Sequence, residues 1–397
     1  MSYLLAFIGF SALIILHEAG HFLVAKRVGM KATKFYLFFP PKLVAFRRGE
    51  TEYGIGAVPL GGFVKIVGMT PDELRSLPDQ DGCDPETGLL LGDDEAAEIR
   101  DDHARAYCRQ ATWKRVAVIF AGPGVNFLIA IGLFYLVASG YGLDSAVARV
   151  GHLVQGSPAE KVLEVGDRVV AVDGVAVEQL RDSALFETVK GLIDQHRCPG
   201  PQPEVGCTAT TPVKLLIRRD GVERELSIRP EYTIPPGSPR GDGPRPLVGF
   251  RYGVKTFPQS SREGIAYTVD RMREIVVDGV FGIVPRIFDS DKRDEISSVV
   301  GIYEVTRESI EFGPREAFAV LASISLVLAV MNLMPFLPLD GGHIAWALAE
   351  KVRGRPISVE TMFKVSSVGI VFLVIVVTIG LTNDIGKLTG GEGFGVR

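Results

Sequence analysis

The chain places three polar side chains where a membrane-length helix has least room for them. From Tyr3 to Ala25 the sequence is an almost unbroken apolar run. That is long enough to cross a hydrocarbon layer of about 30 Å, which takes roughly 17–25 helical residues. Inside it lies Leu13-Ile14-Ile15-Leu16-His17-Glu18-Ala19-Gly20-His21-Phe22-Leu23-Val24. On a helix, His17 and His21 stand one turn apart on the same face, so two imidazoles can converge on one ion. Glu18 is turned about 100° away, beside such an ion rather than bound to it, where a general base for a water molecule belongs. His-Glu-x-x-His also occurs in soluble helices that hold no metal. At the middle of a lipid-spanning helix, however, an ionised carboxylate costs roughly 2.5–3.5 kcal/mol, which asks for a functional explanation.

Three further blocks have membrane length: Val116–Ser139, Ala317–Leu339 and Met362–Leu381. They account for a mean hydropathy of +0.22 in a chain that is 23% charged. The apolar residues are gathered into spans, with soluble modules between them. The formal charge of −4 comes with no basic tract or aromatic-basic platform, so nothing points to nucleic acid. The N-terminal run lacks a basic leader and a small-residue cleavage site, and it reads as a retained span rather than a signal peptide.

Orientation follows from the basic residues near the span ends. Lys26, Arg27, Lys31 and Lys34 follow the first span, Lys114 and Arg115 precede the second, and Lys351, Arg353, Arg355 and Lys364 lie between the third and fourth. These loops are expected on the cytoplasmic side and the region from about Gly140 to Arg315 outside. At 1.5 Å per residue, His17 lies about 21 Å from Tyr3 and His21 about 7 Å from Lys26, which puts the histidines in the cytoplasmic half of the bilayer. Cys198 and Cys207 fall in the external region and form the disulfide candidate there. Cys83 and Cys108 are expected as free thiols.

Between the first two spans, Lys42–Ile55 reads as a hairpin about Arg48-Gly49-Glu50. Gly61-Gly62-Phe63-Val64-Lys65 belongs to a further extended segment, too short to span, which could pair with an extended substrate by strand addition. Residues 71–112 are an acidic cytoplasmic insertion. In the second span, Gly122-Pro123-Gly124-Val125-Asn126 combines small residues suited to close helix packing with an intramembrane amide that needs a partner.

The external region opens with a stretch resembling a PDZ domain. It carries Gly156-Ser157-Pro158-Ala159-Glu160 and Gly166-Asp167-Arg168-Val169-Val170-Ala171-Val172-Asp173-Gly174, with a later hairpin around Arg219-Asp220-Gly221 and closure near Pro230. A Pro- and Gly-rich linker follows. Ile265, Val269, Met272, Val276, Val280, Ile283 and Ile287 then recur at helical steps, giving an amphipathic helix on the outer membrane surface that ends before Pro285. The third span closes in Asn332-Leu333-Met334-Pro335-Phe336-Leu337-Pro338-Leu339-Asp340-Gly341-Gly342-His343. Its prolines break the helix at membrane depth, which is tolerated only beside protein or water. Asp340 can complete a site of two nitrogens and one oxygen with a fourth position open, and His343 is a rival third ligand.

Taken together, His17–His21, Gly122-Pro123 with Asn126, the PDZ-like stretch, and Asn332 through Asp340-Gly341 resemble the site-2 protease family of intramembrane zinc metalloproteases. The similarity is strongest to the bacterial branch of the regulator of sigma-E protease, and it covers nearly the whole chain. It implies Zn2+ held by His17, His21 and Asp340, with Glu18 as the catalytic base. It further implies Asn126 and Asn332 as substrate-binding residues, and Gly61, Gly62, Phe63, Val64 and Lys65 as part of a membrane-reentrant β-hairpin that also meets substrate. The implied partner is a single-span membrane protein, such as an anti-sigma factor trimmed by an earlier protease, within the lipid bilayer of the bacterial inner membrane. The PDZ-like module is implied to act as a size filter. Departures are a single PDZ-like module, Pro338 one place later than usual, and a longer acidic insertion. A membrane adaptor working through the PDZ-like module is the rival class, although it has no need of His17, Glu18 and His21.

The expected fold is a polytopic α-helical membrane protein of about four transmembrane helices, with a membrane-associated β-hairpin region and an inserted extracytoplasmic PDZ-like α/β module. Its expected divisions are the first span (1–28), the hairpin region (29–70), the acidic insertion (71–112) and the second span (113–140). The PDZ-like module (141–233), linker (234–262) and amphipathic region (263–315) follow. The third span (316–349), a cytoplasmic loop (350–361) and the fourth span with its tail (362–397) complete the chain.

Overall fold

The computed structural model describes residues 2–69, 100–199, 204–234, 243–289 and 298–390 except 356 and 358, together with 293 and 296. Most of the acidic insertion, with Cys83, lies outside the described residues. The chain divides into two compact units, one formed by Met1–Ser139 with Ser260–Arg397 and the other by Gly140–Gln259.

Among the described residues, four helices of the first unit are long and apolar enough to cross a membrane. They are α1 (Ser2–Arg27), α2 (Thr112–Tyr135, continued by a π-helical turn to Tyr141), α7 (Pro314–Asn332) and α9 (Val359–Gly390). Their outward faces stay apolar: Leu23, Leu128 and Val368 are among the exposed large hydrophobics. The third apolar block yields a shorter helix than its length suggests. α7 ends at Asn332, and residues 333–339, with Pro335 and Pro338, form an irregular turn before α8 (Asp340–Arg353). The fourth runs beyond its apolar block, and in its added turns Asp384 is buried as an acceptor for the Ser298 and Gly301 amides at the start of α6 (Val299–Phe312).

Between α1 and α2, the strands β1 (Ala32–Arg48) and β2 (Thr51–Ile66) form one sheet rather than a hairpin and a separate segment. Lys34–Leu37 lie between Glu52–Ile55 on one side and Gly62–Lys65 on the other, and Lys42–Arg48 flank the far side of the first of these. The turn is tied down by charge. Glu50 takes Arg105 Nη1 and Nη2 at 2.7 and 2.9 Å and Lys26 Nζ at 2.7 Å. The Arg105 guanidinium holds the Glu50 carboxyl down at about 2. A depressed carboxyl pKa contributes stability above its unfolded value, near 4.5, and that contribution is lost as pH falls through the folded value. Glu50→Gln should therefore lower thermal stability by about 1–2 kcal/mol at pH 7, a figure reduced for solvent screening. The gap from the parent protein should close between pH 4.5 and about 2, as read by thermal unfolding across pH.

The second unit is built on a sheet in the order β10-β3-β4-β6-β7, with β5 beside β4. The strands are β3 (Leu143–Leu153), β4 (Arg168–Val172), β5 (Val175–Ala176), β6 (Val213–Arg219), β7 (Val222–Ile228) and β10 (Phe250–Phe257). Helix α3 (Asp182–Ile193) buries Leu185 and Val189 against Val150, Val169, Leu215 and Ile217. Cys198 and Cys207 form a disulfide with Cα atoms 6.3 Å apart. This unit corrects two expected boundaries, a module closing at 233 and a linker over 234–262. β10 pairs with β3 from Phe250↔Leu153 to Phe257↔Leu143, and β8 (Glu231–Thr233) pairs with β9 (Arg245–Leu247). The period-2 apolar row Phe250, Tyr252, Val254 signals a strand, but proline and glycine just upstream obscure it. The expected amphipathic helix is also interrupted. It resolves into α4 (Ser261–Glu274), a π-helical turn at Ile275–Phe281 and the short α5 (Ile283–Phe288), which contains Pro285.

Candidate metal centre

The site lies wholly in the first unit, where α1, α2, α8 and β2 meet. α1 carries His17 and His21 on its inward face, both buried. α8 begins at Asp340, and its start is folded tightly under the preceding turn. A Cβ on Gly341 would stand 2.1 Å from the Leu333 carbonyl oxygen, and one on Gly342 would stand 2.6 Å from the Phe336 carbonyl carbon. Two glycines after the aspartate are thus what lets the proline turn double back and deliver Asp340. Ser366 of α9 accepts the Leu337 N–H at 3.1 Å and holds the same turn from the other side.

The three side chains close into a small triangle. His17 Nε2 and His21 Nε2 are 3.3 Å apart, and each is 3.2 Å from Asp340 Oδ2. Tetrahedral coordination at about 2.0–2.1 Å requires ligand atoms roughly 3.3–3.4 Å apart, so two nitrogens and one oxygen here span one face of a zinc-sized tetrahedron. Asp340 Oδ2 is buried and has no hydrogen-bond partner, an orphaned acceptor that a cation at the centre would satisfy. Among the described residues this is the group able to hold a metal ion, and His343, the rival, is outside it. The residues present fit zinc.

α2 forms the back wall. His21 Nδ1 donates to the Val118 carbonyl oxygen at 2.8 Å. A Cβ on Gly122 would lie 2.2 Å from His21 Nε2, so any side chain there would occupy the ring's place. Asn126 is fully buried, and its Nδ2 lies 3.1 Å from His17 Nδ1. In this conformation the amide nitrogen faces the His17 ring, and the amide oxygen is buried without a hydrogen-bond partner. Near the start of α2, Arg115 pairs with Glu350 of α8 at 2.9 Å. The Val118 carbonyl and the Arg115–Glu350 pair have no signature in the sequence. Gly122 was legible as a small residue but not as the socket for a ring.

Glu18, half-buried, faces β2. A Cβ on Gly62 would lie 2.9 Å from Glu18 Cγ, and the Val64 main chain hydrogen-bonds the carboxylate. Phe63 stacks on Tyr36 and Phe39, with ring centroids 5.2 and 6.2 Å away. Gly61 abuts the Phe39 ring, and Lys65 continues the strand opposite Lys34. Among the described residues no further strand lies on the outer edge of this segment. Asn332 is half-buried at the end of α7.

The model of Peptidase family M50 matches residues 5–376. The chain belongs to peptidase family M50. It is a zinc metalloendopeptidase of the site-2 protease family, with zinc as its metal. It is 32% identical over 370 residues to the zinc metalloprotease Rip1 of Mycobacterium tuberculosis, covering 86% of this chain and 83% of that one. The zinc metalloprotease RasP of Geobacillus kaustophilus is 28% identical over 434 residues, covering 95% and 96% of the two chains. The regulator of sigma-W protease RasP of Bacillus subtilis is 25% identical over 438 residues, covering 96% and 97%.

Proposed function

We propose that this M50 peptidase hydrolyses peptide bonds in or beside the transmembrane segment of single-span membrane proteins. The observation that carries the reading is the ligand triangle formed by two histidines of a membrane-length helix and Asp340 of α8, with Glu18 facing β2 beside it. His17, His21 and Asp340 would hold the ion. Zinc bound there supplies Lewis-acid polarisation of the scissile carbonyl and of the attacking water. Glu18 takes a proton from that water and delivers it to the leaving amine nitrogen. The Gly62–Lys65 edge pairs with the substrate backbone, because a helical substrate has its peptide groups hydrogen-bonded internally and must be extended before attack. Asn332 contacts the same substrate.

The basic residues at the span ends support an inner-membrane orientation with the metal towards the cytoplasm and the Gly140–Gln259 unit outside. That unit reads as PDZ-like. Between α3 and Arg245–Tyr252 runs an apolar groove lined by Phe186, Val189, Ile193 and Phe250, suited to an extended segment and to a size filter. The name of the Bacillus subtilis relative, a regulator of sigma-W protease, supports a role in regulated proteolysis, and an anti-sigma factor already trimmed outside is the substrate class that fits such a role.

Purified enzyme reconstituted in vesicles with a single-span reporter tests this. Cleavage should fall within or next to the apolar segment, depend on zinc, and rise about tenfold when a helix-breaking Gly or Pro is placed beside the scissile bond, the equivalent of about 1.4 kcal/mol of unwinding. Cleavage confined to the soluble flanks, unaffected by such residues, would overturn the intramembrane reading.

A further inference from the structure

The second helix presents a hydrogen-bonding group behind each histidine, and only one of the two is matched. His21 Nδ1 faces the Val118 carbonyl oxygen at 2.8 Å. A carbonyl only accepts, so Nδ1 carries the proton and the Nε2 lone pair is left pointing at the ligand triangle. His17 faces an amide instead. Asn126 Nδ2 is 3.1 Å from His17 Nδ1, while Asn126 Oδ1 is buried and has no partner.

An amide nitrogen only donates. Facing Nδ1, it would make Nδ1 the acceptor and place the ring proton on Nε2, where three ligand atoms converge. That arrangement blocks the ligand atom and strands a buried oxygen, at a cost of about 1–3 kcal/mol. Half a turn of the Asn126 amide exchanges the two atoms without changing its shape. Oδ1 then accepts from Nδ1–H, and Nε2 regains its lone pair. Packing holds the residue beside the ring, since Asn126 is wholly buried and its backbone carbonyl accepts from Ser325 Oγ of α7 at 2.9 Å.

We propose that Asn126 is the positioning residue for His17: its amide oxygen accepts the Nδ1–H bond and fixes the ring in the tautomer and orientation that present Nε2 to the metal. The two histidines are then oriented by one helix through the same bond, from the Val118 main chain and from the Asn126 side chain. This rests on the metal site proposed above, and it moves Asn126 from the substrate to the metal.

The test is zinc affinity of the full-length protein, measured by competition with a chromophoric chelator, with the cobalt-substituted absorption spectrum as a second readout. Asn126→Ala should weaken zinc binding about 10–100-fold, the usual loss when a partner behind a metal-binding histidine is removed. Asn126→Asp, which keeps an acceptor oxygen in the same place and nearly the same volume, should stay within about threefold of the parent and retain its cobalt spectrum. Unchanged zinc affinity in Asn126→Ala with a raised KM for the reporter would overturn the proposal in favour of substrate contact. Equal loss in the Ala and Asp variants would overturn it as well. A parent protein that binds neither zinc nor cobalt would instead overturn the metal site itself, and this proposal with it.

Discussion

Glu18→Gln is expected to lower turnover of a single-span reporter by about 10²–10⁴-fold while the protein keeps its zinc. The amide matches the carboxylate in size but cannot accept the proton of the attacking water. It can still occupy the space beside Gly62, where Glu18 Cγ would be 2.9 Å from a Cβ. Glu18 lies outside the group of three ligand atoms, so metal content should stay at one per chain by elemental analysis. Turnover within a factor of two of the parent would remove Glu18 from the chemistry. Loss of both zinc and activity would make it a ligand instead. The test is clean because affinity and turnover are assigned to different side chains.

Asp340→Ala should have the opposite signature, with zinc affinity falling by more than about 100-fold and activity lost with it. The substitution removes the oxygen that lies 3.2 Å from both histidine nitrogens and leaves two ligands where a catalytic zinc site uses three. His343→Ala, one helical turn further along α8, should leave zinc in place because His343 is not part of the triangle. Chelator competition on the two variants decides between the two third ligands. Zinc retained in Asp340→Ala and lost in His343→Ala would reverse the assignment.

The sequence carried the spans and the local half of the metal site in its period and spacing. An apolar run of membrane length does not depend on its neighbours, and an i, i+4 histidine pair faces one way on any helix. Elements that depend on partners far along the chain were harder to read. The short apolar alternation of β10 is masked by the proline and glycine before it, and its pairing with β3 is what makes it a strand of this sheet. The extended Gly62–Lys65 segment joined the hairpin because Lys34–Leu37 can pair on both edges. The apolar block to Leu339 contains a helix that stops at Asn332, because two prolines end it before its hydrophobicity does.

Asn126 shows the division most clearly. Its residue type and its place in an apolar span require a hydrogen-bond partner, and that much follows from sequence alone. Which partner it takes depends on the packing of α2 against α1, with Gly122 leaving room for the His21 ring and Ser325 holding the Asn126 backbone. His17, Glu18 and His21 were set by one turn of helix. Asp340 could be placed at the metal only through a turn that two glycines allow to fold back, more than three hundred residues along the chain. Local geometry determines which residues can act together within an element. Only tertiary packing determines which elements meet, since bringing them together depends on contacts that no local period encodes.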